Sequence, residues 1–149
     1  MPEKETLRRA REDKREGKAP STQAGEFVRE EIEHIREGKH GARSTKQAIA
    51  IGLSKARRAG VKLSPPAKGK ASEETRRSAA RALEEGKHHT KPSPKRSRAT
   101  ENALKREGRS AASKQALSRQ ARSAARKRSA SDRSAAARKA ARTRASASA

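Results

Sequence analysis

The chain has 149 residues, of which 40 are Lys or Arg and 17 are Asp or Glu, giving a formal net charge of +23. It has no Cys, which excludes a disulfide framework, a thiolate zinc site and a cysteine nucleophile. Phe27 is its one aromatic residue. The composition therefore predicts a polycation that seeks polyanions and lacks the apolar bulk for one large core.

The N-terminal segment, residues 1–19, mixes charges of both signs and reaches Gly17 near its end. This pattern predicts a solvated helix or arm with close opposite-charge pairs and almost nothing to bury. The segment lacks the apolar stretch of a signal peptide, and no run in the chain approaches the length of a membrane span. We therefore expect a cytoplasmic protein with no membrane partner.

Two amphipathic helices follow and predict a helical hairpin over residues 20–63. The first begins at Pro20 and ends at Gly38, while Ser44 opens the second as part of a capping box with Gln47. The expected hairpin core consists of Phe27, Val28, Ile32, Ile35, Ile49, Leu53 and Ala56. Because so few large side chains are available, we expect marginal stability or a homodimer formed through the hairpin.

Pro65 and Pro66 mark a change in charge. Residues 64–108 are expected to be a basic Pro/Ser linker with short helices at 72–85 and 100–107, and residues 109–149 an Ala/Ser/Arg/Lys-rich basic tail. The sequence thus predicts a mostly α-helical fold with a large disordered fraction. In that fold the small hairpin is accompanied by isolated Ala/Arg/Lys-rich helices, and there is no single large core.

A short Glu-Gly-Lys/Arg motif recurs at residues 16–18, 37–39, 85–87 and 107–109. Glycine is the usual residue just after a helix, so we interpret these motifs as reused helix C-caps. A duplicated helical unit is the alternative.

The basic tail carries the strongest functional signal, because cationic blocks with almost no acids neutralise phosphates and release counterions. We expect nucleic-acid contacts from Lys91, Lys95, Arg96, Arg98, Arg109, Lys114, Arg119, Arg122, Arg126, Lys127, Arg128, Arg133, Arg138, Lys139, Arg142 and Arg144. The segment 91–98 is similar to the Ser-Pro-basic repeats of linker histone tails, which adds a mild preference for duplex DNA. Proteins that bind single-stranded nucleic acid usually stack the bases on aromatic residues. This chain lacks aromatic residues for such stacking, which also favours duplex DNA.

The remaining polar features indicate no catalytic or metal chemistry. The pair His88 and His89 has no carboxylate at ligand spacing nearby, so we expect no metal site and assign these imidazoles, with His34 and His40, to helix ends or phosphates. The cluster Glu30, Glu31 and Glu33 is expected on the polar face of the first helix, as a structural feature or a competitor for the basic tail. Since no catalytic set is present, the sequence predicts neither an enzyme, nor a cofactor, nor a small-molecule substrate.

One stretch resembles a known family. Phe27-Val28-Arg29-Glu30-Glu31, the loop Gly38-Lys39-His40-Gly41 and the helix from Ser44 to Arg57 resemble a small bacterial domain family of unknown function with a "KQAIAIALSEAR"-type helix, over residues 27–60. Here Gly52 stands where that family more often has Ala, and Lys55 where it has Glu. The resemblance implies bacterial origin and carries no activity. The tail is similar in composition to bacterial histone H1-like proteins.

These observations favour a sequence-tolerant, nucleoid-associated DNA-binding protein that works by phosphate neutralisation. A basic protein bound to structured RNA or the ribosome is one alternative. A protein-interaction adaptor that uses the hairpin is another.

Overall fold

The computed structural model describes residues 1–148, which form seven α-helices and one short 3-10 helix. The helices are α1 (Lys4–Arg15), α2 (Pro20–Arg36), α3 (Thr45–Arg58), α4 (Glu73–Lys87), α5 (Pro94–Lys105), α6 (Lys114–Arg126) and α7 (Ala130–Ala147). The 3-10 helix, η1, spans Ser110–Ala112. The chain divides into two compact units, Met1–Ser113 and Lys114–Ala149. No helix among residues 1–148 is both long and apolar enough to cross a membrane.

The core of the first unit surrounds Phe27, whose exposed fraction is 1%. Around it, α1 contributes Ala10, α3 contributes Ala56, and the segment after α3 contributes Val61. Leu7, Leu53 and Leu63 pack against this cluster from its edges. Residues 1–19, expected to have almost nothing to bury, therefore supply one wall of the core.

Glycine lets the helices of this unit approach closely. A Cβ atom built on Gly52 of α3 would lie 2.6 Å from Val28 Cα of α2, and one built on Gly86 of α4 would lie 2.0 Å from the Arg57 carbonyl oxygen of α3. Real Cβ atoms are not found at such distances from backbone, so these two crossings require glycine. Small residues thus take the place of the large apolar side chains that the chain lacks.

The end of α5 and the segment after it are hydrogen-bonded to the loop that joins α2 and α3, at the closed end of the hairpin. Gly41 N donates to Leu104 O at 2.9 Å, and Ala42 N donates to Gly108 O at 3.0 Å. Thr45 Oγ1 donates to Ala111 O at 2.7 Å, and η1 packs against both α2 and α3. Residues some 66 positions apart in the chain are therefore joined through backbone carbonyls.

The second unit contains α6 and α7. Ser129 caps α7, since its Oγ accepts a hydrogen bond from Asp132 N at 3.1 Å. Arg133 Nη1 donates to Arg128 O at 3.1 Å, next to the end of α6. Almost every described residue of this unit is exposed, so its helices depend on local interactions.

The expected large disordered fraction and isolated helices are wrong. Helices cover about 70% of the chain, and α1 and α4 pack on the hairpin, α1 against α2 and α4 against α3. The error came from treating large apolar side chains as the condition for order. Ala and Arg have high helix propensity and Ser caps helices, so the Ala/Arg/Ser tail forms helices although it has no core of its own.

Individual helix limits agree with the sequence in part. α2 begins at Pro20 and is followed by Gly38 at φ +79°, as a glycine C-cap requires, and Ser44 caps α3. In contrast, α5 begins at Pro94, inside the segment expected to be a linker, because proline is favoured at a first helical position. The interpretation of Gly86 as a C-cap is also wrong, since this residue lies inside α4.

Candidate functional site

The clearest basic surface of the second unit lies on α6. Arg119, Arg122 and Arg126 are three and four residues apart, which places them on one side of the helix, whereas Leu117 and Ala121 lie on the opposite side. The basic side borders an open depression lined by Arg119, Arg122, Ser123, Arg126 and Lys127. All four of these cations are exposed.

Ion pairs among the described residues, 1–148, do not neutralise the cations of this unit. Residues 114–149 contain eleven Lys and Arg and one acid, Asp132, for a net charge of +10. Every ion pair among residues 1–148 joins partners that lie between Glu3 and Lys105. The described guanidinium and ammonium groups of α6 and α7 are therefore available to an external polyanion.

On α7 the cations are distributed around the helix instead of forming a stripe. Arg133, Arg138, Lys139, Arg142 and Arg144 are all exposed. This 18-residue helix is about 27 Å long at 1.5 Å per residue. It presents positive charge in every direction, which suits contact with a phosphate backbone but fixes no orientation.

The predicted nucleic-acid residues outside α6 and α7 are exposed as well. Lys95, Arg96 and Arg98 lie in the first turns of α5, and Lys91 precedes that helix. Arg109 lies just before η1, and its Nη1 donates to Arg36 O at 3.4 Å. These cations belong to the first unit, so the structure divides the predicted set between two units.

A second basic surface, on α1, was missed in the sequence analysis. Arg8, Arg11, Lys14 and Arg15 line an open depression. Their spacing of three and four residues places them on one side of a helix, so the sequence could have identified this surface. Arg8 is held by Glu5 and Glu12, at 2.5 and 2.7 Å, so part of this charge is already paired.

Among the predicted hairpin core residues, Phe27, Ile32, Ile35 and Ala56 are buried. Val28, Ile49 and Leu53 are half-buried. The homodimer expected through this hairpin stays a prediction.

The acidic cluster of α2 is not arranged as expected. Glu33 is exposed, but Glu30 and Glu31 are buried, with exposed fractions of 4% and 0%. Glu31 Oε1 accepts a short hydrogen bond from Lys55 Nζ of α3. The polar-face interpretation is therefore wrong for Glu30 and Glu31, because the sequence did not reveal that their partners lie on neighbouring segments.

Two histidines face these buried carboxylates. His40 Nε2 lies 3.1 Å from Glu31 Oε2, and His34 Nε2 lies 3.0 Å from Glu3 Oε1 and 3.7 Å from Glu30 Oε1. The two imidazole centres are 6.0 Å apart. By contrast, His88 and His89 are exposed at the end of α4.

Hydrogen-bond donors stabilise the ionised form of Glu3. Hydrogen bonds from His34 and Lys39 lower the pKa of the Glu3 carboxyl below its usual 4.5. We call the group formed by Glu3, Glu30, Glu31, His34 and His40 the acid–histidine cluster.

Comparisons with known proteins give one match. Residues 17–68 match DUF6496, a family of unknown function. No curated protein and no solved structure matches the chain. The matched segment contains α2 and α3 with the histidine-bearing loop between them, and it is this segment of the chain that is similar to the family.

Proposed function

We propose that the protein binds duplex DNA without sequence specificity, with the basic side of α6 as its main contact surface. The supporting observation is that Arg119, Arg122 and Arg126 share one side of an exposed helix and have no carboxylate partner among residues 1–148. Each phosphate that such a cation contacts releases condensed counterions, which supplies affinity and makes it dependent on salt.

Helix shape favours DNA over RNA as the partner. The major groove of B-form DNA admits an α-helix, whereas the deep, narrow major groove of A-form RNA does not. α6 and α7 are exposed helices, and Phe27, the one Phe, Tyr or Trp of the chain, is buried in the core. Binding to structured RNA is the second candidate, and it would depend on phosphate contacts alone.

A coating role on the bacterial chromosome, like that of histone H1-like proteins, is consistent with this mode of binding. The proposal depends on charge and helix geometry, not on base contacts. Affinity should therefore vary little between DNA sequences of equal length.

The test compares two triple variants that remove the same charge. Arg119→Gln/Arg122→Gln/Arg126→Gln removes the α6 stripe, and Arg8→Gln/Arg9→Gln/Arg29→Gln removes three arginines that are already ion-paired to Glu5, Glu12, Glu26 and Glu33. Fluorescence anisotropy with a labelled duplex, titrated over salt, gives the affinity and its salt slope for each variant.

We expect the α6 variant to reduce the slope of log affinity against log salt by about 3, and the control variant to change it much less. Equal effects of the two variants would mean that bulk charge is responsible and that α6 is not a defined surface. A duplex RNA of equal length is the second arm. Tighter binding to RNA would favour structured RNA over DNA as the partner. No binding to either nucleic acid would favour the adaptor hypothesis.

A further inference from the structure

The acid–histidine cluster brings three metal-ligand side chains together from two parts of the first unit. Glu31 and His34 lie one turn apart on α2, and His40 comes from the loop that follows. Their ligand atoms all lie within 4.8 Å of one another. Glu31 is fully buried, and the side chains of His34 and His40 are only 13% and 12% exposed.

The hydrogen bonds of His40 leave an unfilled position between its ring and Glu31. His40 Nδ1 lies 2.9 Å from the Gly41 carbonyl oxygen, which can only accept, so Nδ1 carries a proton. In the neutral imidazole Nε2 then has a lone pair, and this lone pair faces Glu31 Oε2 at 3.1 Å. Glu31 Oε2 is buried and accepts no hydrogen bond from the described residues. Two facing lone pairs repel unless a cation or a proton lies between them.

The spacing and the surrounding contacts suit a metal ion. In a tetrahedral site with metal–ligand bonds of about 2.0–2.1 Å, neighbouring ligand atoms are about 3.3 Å apart, close to the distance between His40 Nε2 and Glu31 Oε2. Metal-binding imidazoles usually donate their other ring N–H to a carbonyl or a carboxylate. His40 has the Gly41 carbonyl in this role.

Local charge also favours a cation. Glu3, Glu30 and Glu31 supply three carboxylates, against the two ammonium groups of Lys39 and Lys55. The cluster is therefore locally negative in a chain whose formal net charge is +23. Lys55 occupies Glu31 Oε1 and leaves Oε2 for another partner.

We propose that Glu31, His34 and His40 bind one divalent transition-metal ion of the Zn²⁺ class. Two imidazoles and one carboxylate match the preferences of Zn²⁺, whereas Mg²⁺ and Ca²⁺ prefer oxygen ligands alone. Water completes the coordination. The ion fastens the loop between α2 and α3 to α2, and so stabilises the segment that resembles the family. The sequence predicts no metal site. Its residue spacing does not show that His40 and Glu31 come together in the folded chain.

The experiment uses the full chain without an affinity tag and Zn²⁺ as the probe. Isothermal titration calorimetry should show one tight Zn²⁺ per chain, and saturating Zn²⁺ should raise the melting temperature by several degrees. His34→Gln and His40→Gln should each weaken binding at least tenfold. His88→Gln/His89→Gln removes two exposed histidines outside the cluster and should leave tight binding unchanged. Mg²⁺ should produce neither effect.

The rival is a simple ion pair between Glu31 and a protonated His40. It predicts that Zn²⁺ leaves the melting temperature of the wild type unchanged, which would overturn the metal site, as would equal loss of binding in the His88→Gln/His89→Gln variant. Circular dichroism checks that each variant is folded. Visible absorption of the Co²⁺-loaded protein gives a second readout: bands that change in His40→Gln support direct ligation, and bands that do not change contradict it.

Discussion

Two helical glycines show how strongly local surroundings determine the effect of one residue. Gly52 lies at the crossing of α2 and α3, where a Cβ atom would lie 2.6 Å from Val28 Cα. Gly25 lies on the exposed side of α2, where a Cβ atom would meet nothing within 4 Å. The residue type is the same, but only Gly52 is required by packing.

We predict opposite effects for Gly52→Ala and Gly25→Ala. At Gly25, alanine removes a helix-breaking residue and should raise the free energy of unfolding by about 0.5–1 kcal/mol. At Gly52, alanine forces two helix backbones apart. The cost should outweigh that gain and lower the free energy of unfolding by about 1–2 kcal/mol. Urea denaturation followed by the methyl NMR signals of core isoleucines measures both. A stabilising Gly52→Ala would show that the crossing can widen without cost.

Residues that act through local chemistry could be predicted from the sequence. Ser44 caps α3 by accepting from Gln47 N at 3.1 Å, and Gly38 adopts the left-handed conformation after α2. The burial of Glu31 could not be predicted, because charge favours exposure and its partners His40 and Lys55 come from other segments. Sequence spacing on one helix does not reveal such long-range pairing.

Among the elements, α7 shows which interactions keep a helix ordered when none of its residues is buried. It has 18 residues, none of them buried, and its N-terminus is capped by Ser129. At its C-terminal end, Thr143 and Ser146 of the helix and the C-cap residue Ser148 donate to the carbonyls four residues earlier. Helix propensity and capping therefore carry its order, a contribution that the expectation of a disordered tail ignored.

We predict that two serine substitutions in this part of the chain will act in opposite directions. Ser129→Ala removes the cap and should weaken α7 by about 1 kcal/mol, which lowers the helix content measured by circular dichroism. Ser134→Ala changes an exposed position inside the same helix. It should raise the helix content slightly, because alanine is the better helix former. No difference between the two variants would mean that capping does not limit α7.

Helix starts were the most predictable part of the architecture, since Pro20, Ser44 and Ser72 all precede or open helices as expected. The packing of α1 and α4 on the hairpin was not predictable, because it depends on Ala and Gly contacts that give no strong periodic signal. Of the candidate site, the basic residues could be identified from composition. Their one-sided arrangement on α6 needed the helix limits.

At the scale of the whole molecule, several exposed acids of the first unit have pKa values below their ordinary value. Hydrogen bonds from His34 and Arg8 lower the pKa values of Glu3 and Glu5, respectively, and those from Lys87 and Lys105 lower the pKa values of Glu84 and Glu101. A carboxyl whose pKa is lower in the folded state adds stability above its ordinary pKa. That contribution disappears as the pH falls through the folded-state value.

We predict that stability decreases as the pH falls below about 4.5. Protonation of the acids also increases the net positive charge, so self-repulsion acts in the same direction. Urea denaturation midpoints at several pH values measure this. Glu84→Gln/Glu101→Gln should show a shallower decrease than wild type, whereas Glu74→Gln, at an exposed α4 acid with no ion pair among residues 1–148, should follow wild type.

The carbonyl groups of η1 have a consequence for how this protein can be divided or recombined. Thr45 and Arg36 donate to Ala111 O and Ala112 O at 2.7 and 2.9 Å, and both donors belong to the family-matched segment, whereas both acceptors lie beyond it. A gene fragment encoding residues 17–68 would produce a chain whose buried Thr45 hydroxyl has lost its acceptor and whose Phe27 has lost Ala10. The unit that packs together is therefore larger than the stretch that sequence similarity marks, and a transplanted version should span residues 1–113.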